Sequence, residues 1–281
     1  MATKDTVSNA VKVQLASKYT GKVRFPVYVE AKFDGIRVVL DGNRGIAYSR
    51  TGKLLSALHE AAQLWQRLTE GLESWERVVD CEYGNDWTNS MAATGKEVIP
   101  ISDLAVFYMF DLPECEGDYL RRKEALETVY ERVKARGGGN VFQYVSYERV
   151  DDEAGIERVY HAMLEKGYEG LMIKRNAPYK GGRSVLWQKY KPEETIDCVI
   201  EGCIEGQGKF AGMLGALVVR EPDRGIVFNV GTGFTDAQRR KIWKDREEVI
   251  GHFVEIAVQP NWEQIGLPRF PRFKRFRPDK D

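Results

Sequence analysis

Cysteine is scarce in this chain. The four present (Cys81, Cys115, Cys198 and Cys203) form no CxxC pair, so neither a disulfide framework nor a zinc finger is expected, and the thiols are expected to be reduced. No apolar run approaches the roughly 20 residues that a membrane-spanning helix needs. The start, MATKDTVSNAVKVQ, lacks the apolar stretch of a secretion signal. Neither sign of charge is in excess: 42 Lys and Arg stand against 42 Asp and Glu. That balance neither suggests nor excludes a nucleic-acid partner, because charge can be segregated on a surface. Internal repeats and low-complexity tracts are also absent. What is present is a 43% apolar content over 281 residues, enough for the core of one large or two modest domains.

The first two-thirds of the chain mixes strand and helix patterns. VYVEAK (27–32) and IRVVL (36–40) flank Asp34-Gly35 and predict adjacent antiparallel strands with the dipeptide as their turn. Residues 1–26 are assigned no element. LLSALHEAAQLWQRL (54–68) places apolar residues at helical spacing. Segments 119–136 and 153–167 predict two more helices, closed by Gly137 and Gly167. RVVDCEY, LAVFYMFDL, GLMIK and VLWQKYK predict strands. Beyond Pro192 the pattern becomes short strands with one helix, opened by a capping box from Thr235 and Gln238. Such a pattern suits a small barrel of OB type. The expected class is α+β: a domain of antiparallel sheets and helices over 1–192, then a C-terminal OB-fold β-barrel over 193–281.

The chemistry starts at Lys32, two residues before Asp34. It is either a strand-end charge in water or a nucleophile. A nucleophilic lysine must be neutral, yet unperturbed lysine titrates near ~10.4. Neighbouring cations or burial lower that value. A nucleophile at Lys32 therefore calls for more basic residues converging on it, and for carboxylates to hold a metal. The chain has both. Glu169 and Lys174 bound the GLMIK strand. Lys189 and Lys191 share one face of their strand, and so do Asp80 and Glu82. Arg50 lies in YSRTGK. Singly, each reads better as a solvated charge; together, in strands expected to be buried, they point to chemistry.

K-x-D-G-x-R (32–37), S-R-T-G-K (49–53), D-x-E (80–82), F-Y-M-F-D (107–111), E-G-L-M-I-K (169–174) and K-Y-K (189–191) follow one another along the chain. This series resembles the motifs of covalent nucleotidyltransferases, and among them the ATP-dependent DNA ligases of small viral and bacteriophage type. The likeness covers nearly the whole chain, including FNVGTGFTDAQRRKIW and the final PRFPRFKRFRPDK.

The resemblance implies a set of roles. Lys32 would attack the α-phosphorus of ATP and carry AMP, which passes to the 5′-phosphate of a nick before the 3′-OH seals the strand. Asp34 would orient the attacking groups in the later steps. Glu30 would read the adenine amino group and Phe110 would stack on the base. Glu82 would bind the ribose or, with Glu169, hold Mg²⁺ (or Mn²⁺). Lys174, Lys189 and Lys191 would contact the nucleotide, the last two at the α-phosphate. Arg37 and Arg50 would meet the nucleotide and the nick 5′-phosphate, with Arg183 a further phosphate contact. Arg277, Asp279 and Lys280 would form an R-x-D-K element that meets the leaving pyrophosphate. Arg239 and Arg240, with other basic residues of the barrel (Lys209, Lys241, Lys244, Arg272, Lys274, Arg275), would grip DNA. The implied partner is nicked duplex DNA, bound by a monomer in the cytoplasm, at a nucleoid or at viral DNA.

Some departures accompany the likeness. Residues 1–26 leave no room for an N-terminal helical DNA-binding domain, no NAD-recognition module is expected, and EGQGKFAGMLG is too short for a latch around DNA. An RNA ligase or mRNA capping enzyme would share the lysine chemistry. A non-catalytic OB-type nucleic-acid binder would keep the domains without the reaction. These readings remain open at the level of sequence.

Overall fold

The first strand lies where the sequence pattern gave no signal. QLASK forms β1 (Gln14–Lys18), followed by β2 (Val27–Lys32) and β3 (Ile36–Asp41). The structure is a computed structural model and describes residues 6–84, 86, 90–259, 262 and 266–280. The chain divides into two compact units, Met1–Lys191 and Pro192–Asp281.

β2 and β3 do not pair with each other, which corrects the hairpin expected from Asp34-Gly35. In sequence order the further strands of the first unit are β4 (Ile46–Ser49), β5 (Val78–Tyr83), β6 (Phe107–Asp111), β7 (Phe142–Tyr144), β8 (Glu148–Val150), β9 (Gly170–Lys174) and β10 (Gly182–Tyr190). One sheet runs β1-β10-β9-β2-β8 and the other β4-β3-β5-β6-β7. The Asp34-Gly35 link therefore carries the chain from one sheet to the other. Gly35 is required for a close approach: a Cβ there would lie 2.4 Å from the carbonyl oxygens of Tyr83 and Gly84. Pairing is mainly antiparallel, as expected, but β1–β10 and β6–β7 are parallel. The second of these is a β-helix-β crossover, which a parallel neighbour needs.

That crossover helix is α2 (Tyr119–Ala135); α1 spans His59–Leu68 and α3 spans Glu153–Glu165. Asp118 caps α2 through the Arg121 amide at 3.0 Å, and Gly137 ends it with φ of +88°. Trp65 and Leu68 of α1 and Leu126 and Val129 of α2 pack on Val38 and Phe107 of the second sheet. Ile156 and Val159 of α3 pack on Val27, Val29, Leu171 and Ile173 of the first. Between the two sheets lies a third cluster, centred on Phe33, Phe110, Val145 and Trp187. This inner layer is where the charged residues of interest gather.

The second unit contains β11 (Glu194–Glu205), β12 (Leu214–Glu221), β13 (Ile226–Val230), α4 (Asp236–Lys244), β14 (Phe253–Val258) and β15 (Arg272–Phe276). The sheet order is β13-β12-β11-β14-β15, and a parallel bridge from Thr232 to Arg272 joins its two ends into a barrel. Gly233 permits that closure, since a Cβ would sit 2.3 Å from the Phe273 carbonyl oxygen. The capping box forms as the sequence predicts, with Gln238 N donating to Thr235 Oγ1 at 3.2 Å and Thr235 N to Gln238 Oε1 at 2.8 Å. Among the described residues no helix is long and apolar enough to cross a membrane.

Candidate active site

Lys32 ends β2 at the point where the chain leaves the first sheet. Its register partner on β9 is Gly170, and the Glu169 amide donates to the Lys32 carbonyl at 2.9 Å. This places the Glu169 carboxylate against the Lys32 ammonium, with Oε2 paired to Lys32 Nζ. Oε1 accepts from Lys191 Nζ at 2.7 Å. The glycine after Glu169 has φ of +147°, and a Cβ on it would fall 2.2 Å from the Tyr190 carbonyl oxygen. Only glycine lets β9 and β10 converge closely enough to put both lysines on one carboxylate.

Lys189 belongs to the same cluster. Burial lowers the pKa of its ammonium, and Lys32 and Lys191 lower it further by repulsion. Burial pushes Glu169 up, but its two lysine partners outweigh that and hold it below the ordinary carboxylate range. Glu82, on the opposite sheet, is pushed up to about 7 by burial, against the pull of Lys32 and Arg37. Three lysines and two carboxylates thus meet at one end of the inner layer. A phosphate-bearing ligand would find concentrated positive charge there.

From Lys32 the inner layer runs back along β2 toward Glu30, about 7 Å away for two strand residues. Met172 pairs in register with both Glu30 and Lys189. With Phe110 and Trp187 it belongs to the apolar cluster of the inner layer. Met172 and Trp187 were not singled out in the sequence. The alternation that places Met172 beside Glu30 becomes readable only once the β2–β9 register is known. Glu30 itself is buried, and Lys174 lies 2.6 Å from its Oε2. Lys174 is thus committed to Glu30 and is 1% exposed, away from the lysine cluster it was expected to join.

The expected phosphate contacts separate into committed and free groups. Arg37 is committed: its Nε donates to Asp80 Oδ1 at 2.6 Å, its Nη2 pairs with Asp80 Oδ2, and its guanidinium lies 4.7 Å from the Phe110 ring centroid. Tyr179 donates to the same carboxylate at 2.6 Å. Arg50 is exposed, in the turn that Ser49 and Thr51 organise after β4. Arg183 is exposed and donates to the Ala16 carbonyl at 2.7 Å. Asp34 is half-buried on the link between the sheets.

In the barrel unit, Arg239 corrects the sequence expectation. It is 6% exposed and donates to the carbonyls of Leu214, Gly215 and Gly231 at 2.7 to 2.9 Å, with Phe210 against its guanidinium. Those carbonyls need a donor inside the fold, so Arg239 is an internal clamp and does not face a partner. Arg240 is exposed. Arg272 and Lys274 pair with Glu193, and Arg275 with Glu255. Arg277 and Lys280 both hold Asp197, at 2.8 and 2.6 Å, and Arg277 also pairs with Asp279. The three residues of the R-x-D-K element therefore form one network on their own unit.

The family model described as "ATP dependent DNA ligase domain" matches residues 9–191, and "DNA ligase OB-like domain" matches 205–277. DNA ligase 2 of Methanosarcina mazei is 29% identical over 302 aligned positions covering 91% of this chain. The chain spans 52% of that protein's length, and 28% to 57% of the other archaeal DNA ligases compared. A Lig E DNA ligase structure, described as DNA binding with a minimal scaffold, superposes with a TM-score of 0.72. It is 26% identical, and the match covers 95% of this chain and 100% of that one. A Chlorella virus DNA ligase-adenylate gives a TM-score of 0.53 and 26% identity over 96% of this chain and 99% of that one. With a family model matched over more than half its length, this chain belongs to the ATP-dependent DNA ligase family.

Proposed function

We propose that this chain seals nicks in duplex DNA, with Lys32 as the residue that carries AMP. One observation supports this above the rest: the Lys32 ammonium, Glu169, Lys189 and Lys191 are held together by the β2–β9–β10 register.

The reaction follows from that placement. Lys32 Nζ, after losing a proton, attacks the α-phosphorus of ATP; the bond to pyrophosphate breaks as the N–P bond forms. Lys189 and Lys191 offset charge on the α-phosphate oxygens. The 5′-phosphate of a nick then takes AMP from Lys32, breaking the N–P bond. The 3′-OH, losing its proton, attacks the phosphorus of the nick's 5′-phosphate, and AMP leaves with the bridging oxygen. Glu82 and Glu169, carboxylates of the kind Mg²⁺ uses, would hold that ion. When bound, it would neutralise phosphate charge and polarise the α-phosphorus. Asp34, half-buried two residues after Lys32, would orient the later attack. Arg50, Arg183 and Arg240, all exposed, are among the basic residues that would meet DNA phosphates.

The test is substrate competition. With ATP and Mg²⁺, nicked DNA should be sealed and should outcompete a duplex nicked in an RNA strand. Preferential sealing of the RNA nick would transfer the lysine chemistry to an RNA ligase.

A further inference from the structure

Between Lys189 and Lys191, β10 sends one side chain to the opposite face, and three partners hold it there. Alternation turns Tyr190 away from the lysine cluster and into the layer beneath α3. Its ring stacks on Tyr160, which is 6% exposed, with centroids 4.0 Å apart and planes 12° from parallel. The Tyr19 ring lies 5.0 Å from it at a tilt. Its hydroxyl donates to the Glu157 carboxylate, 3.0 Å from Oε1 and 3.1 Å from Oε2. Glu157 and Tyr160 stand three residues apart on α3, so one helix face supplies both contacts.

Packing alone does not call for a tyrosine here. Leu171 and Ile173 of β9 fill the same cluster with aliphatic side chains. The hydroxyl adds a directional bond to a carboxylate. Burial and that bond push the Tyr190 hydroxyl up to about 12, so it stays a donor at neutral pH.

The two lysines differ in what else holds them. Lys189 is in register with Met172 on one side and Lys18 on the other, and its carbonyl accepts from the Tyr19 amide at 2.9 Å. Lys191 lies beyond the last registered pair of the β9–β10 ladder, Leu171 with Tyr190. The second unit begins at the next residue, Pro192, which has no amide hydrogen to extend the ladder. The backbone at Lys191 is therefore placed by the residue before it. From there Lys191 Nζ reaches Glu169 Oε1 at 2.7 Å.

We infer that Tyr190 is a positioning residue for adenylyl transfer: anchored to Glu157 and Tyr160 of α3, it fixes the backbone that carries Lys191 and so holds the Lys191 ammonium at the carboxylate shared with Lys32. This rests on the adenylyl-transfer reading above and adds to it a residue that faces away from the lysine cluster.

The test is a double-mutant cycle on the rate of enzyme-AMP formation, measured in a single turnover at saturating ATP, with folding checked by denaturant unfolding. Lys191→Ala and Tyr190→Leu should each slow adenylation by about 10- to 100-fold, as when a phosphate contact is removed or misplaced. The double variant should match Lys191→Ala within about twofold, because no ammonium is left to position. Tyr190→Phe keeps the ring stack and lacks the hydroxyl, so its rate should fall between those of wild type and Tyr190→Leu. A packing role would multiply the two losses, or lower stability with the rate per folded molecule unchanged. Either result overturns the inference, and so does a full rate in Lys191→Ala. A Tyr190→Phe rate equal to wild type overturns the Glu157 anchor. If Tyr190→Leu does not fold, the same cycle run with Tyr190→Phe decides the matter. In all these outcomes wild type still forms enzyme-AMP and the adenylyl-transfer reading stands. Wild type that forms none refutes that reading and the inference with it.

Discussion

Arg37 and Asp80 face each other as a closed two-point ion pair, with the aspartate fully buried and Arg37 Nε 2.6 Å from Oδ1. Removing one partner of such a pair leaves an uncompensated charge, at a cost of about 3–5 kcal/mol. Arg37→Ala should therefore lower stability and depress adenylation and sealing together.

Arg50 should behave differently, because its side chain is exposed. Arg50→Ala should keep stability within about 0.5 kcal/mol of wild type and still form enzyme-AMP, yet seal poorly. Single-turnover assays on ATP and on pre-adenylated nicked DNA separate the two steps. Equal loss of both steps in Arg50→Ala would remove it from the nick.

Arg239 and Arg240 are neighbours in sequence with opposite environments. Arg239→Ala leaves one buried and two part-buried carbonyls without their donor and should cost about 2–4 kcal/mol in denaturant unfolding of the barrel unit. Arg240→Ala should leave stability unchanged. It should weaken DNA binding and reduce the log–log salt slope by about one. A slope equal to wild type would take that helix face off the DNA.

Glu82 gives a pH signature. Its pKa is raised in the fold, to about 7, so folding favours the protonated form. That contribution is fully present below the unfolded value, near 4.5, and is lost as pH rises through 7. Glu82→Gln removes the loss. The variant should gain stability relative to wild type between pH 5 and pH 8, by on the order of 3 kcal/mol at most. Parallel pH–stability curves for the two proteins would contradict the shift.

The sequence pattern made the motifs and the two-part architecture legible because both depend on local order: helix stripes, the Thr235–Gln238 capping box, and lysines spaced by two along a strand. It failed where long-range pairing decides. Asp34-Gly35 reads as a hairpin turn because a turn and a sheet-to-sheet link use the same small, polar residues. QLASK gave no strand signal because its ladder comes from β10, distant in sequence. Arg37 and Arg239 read as phosphate contacts because an arginine's partner is not written beside it. Asp80 and the carbonyls around Gly231 are assembled only by the fold. Tyr190 escapes notice for the same reason, since its partners Glu157 and Tyr160 lie on α3 and nothing in K-Y-K marks them.

The most direct measurement of the central claim is the intact mass of the protein after incubation with ATP and Mg²⁺, followed by peptide mapping of any adduct. The account predicts a single added AMP on the peptide carrying Lys32, discharged by nicked DNA and absent from Lys32→Ala. An adduct formed in full yield by Lys32→Ala, or mapped to another lysine, would contradict it.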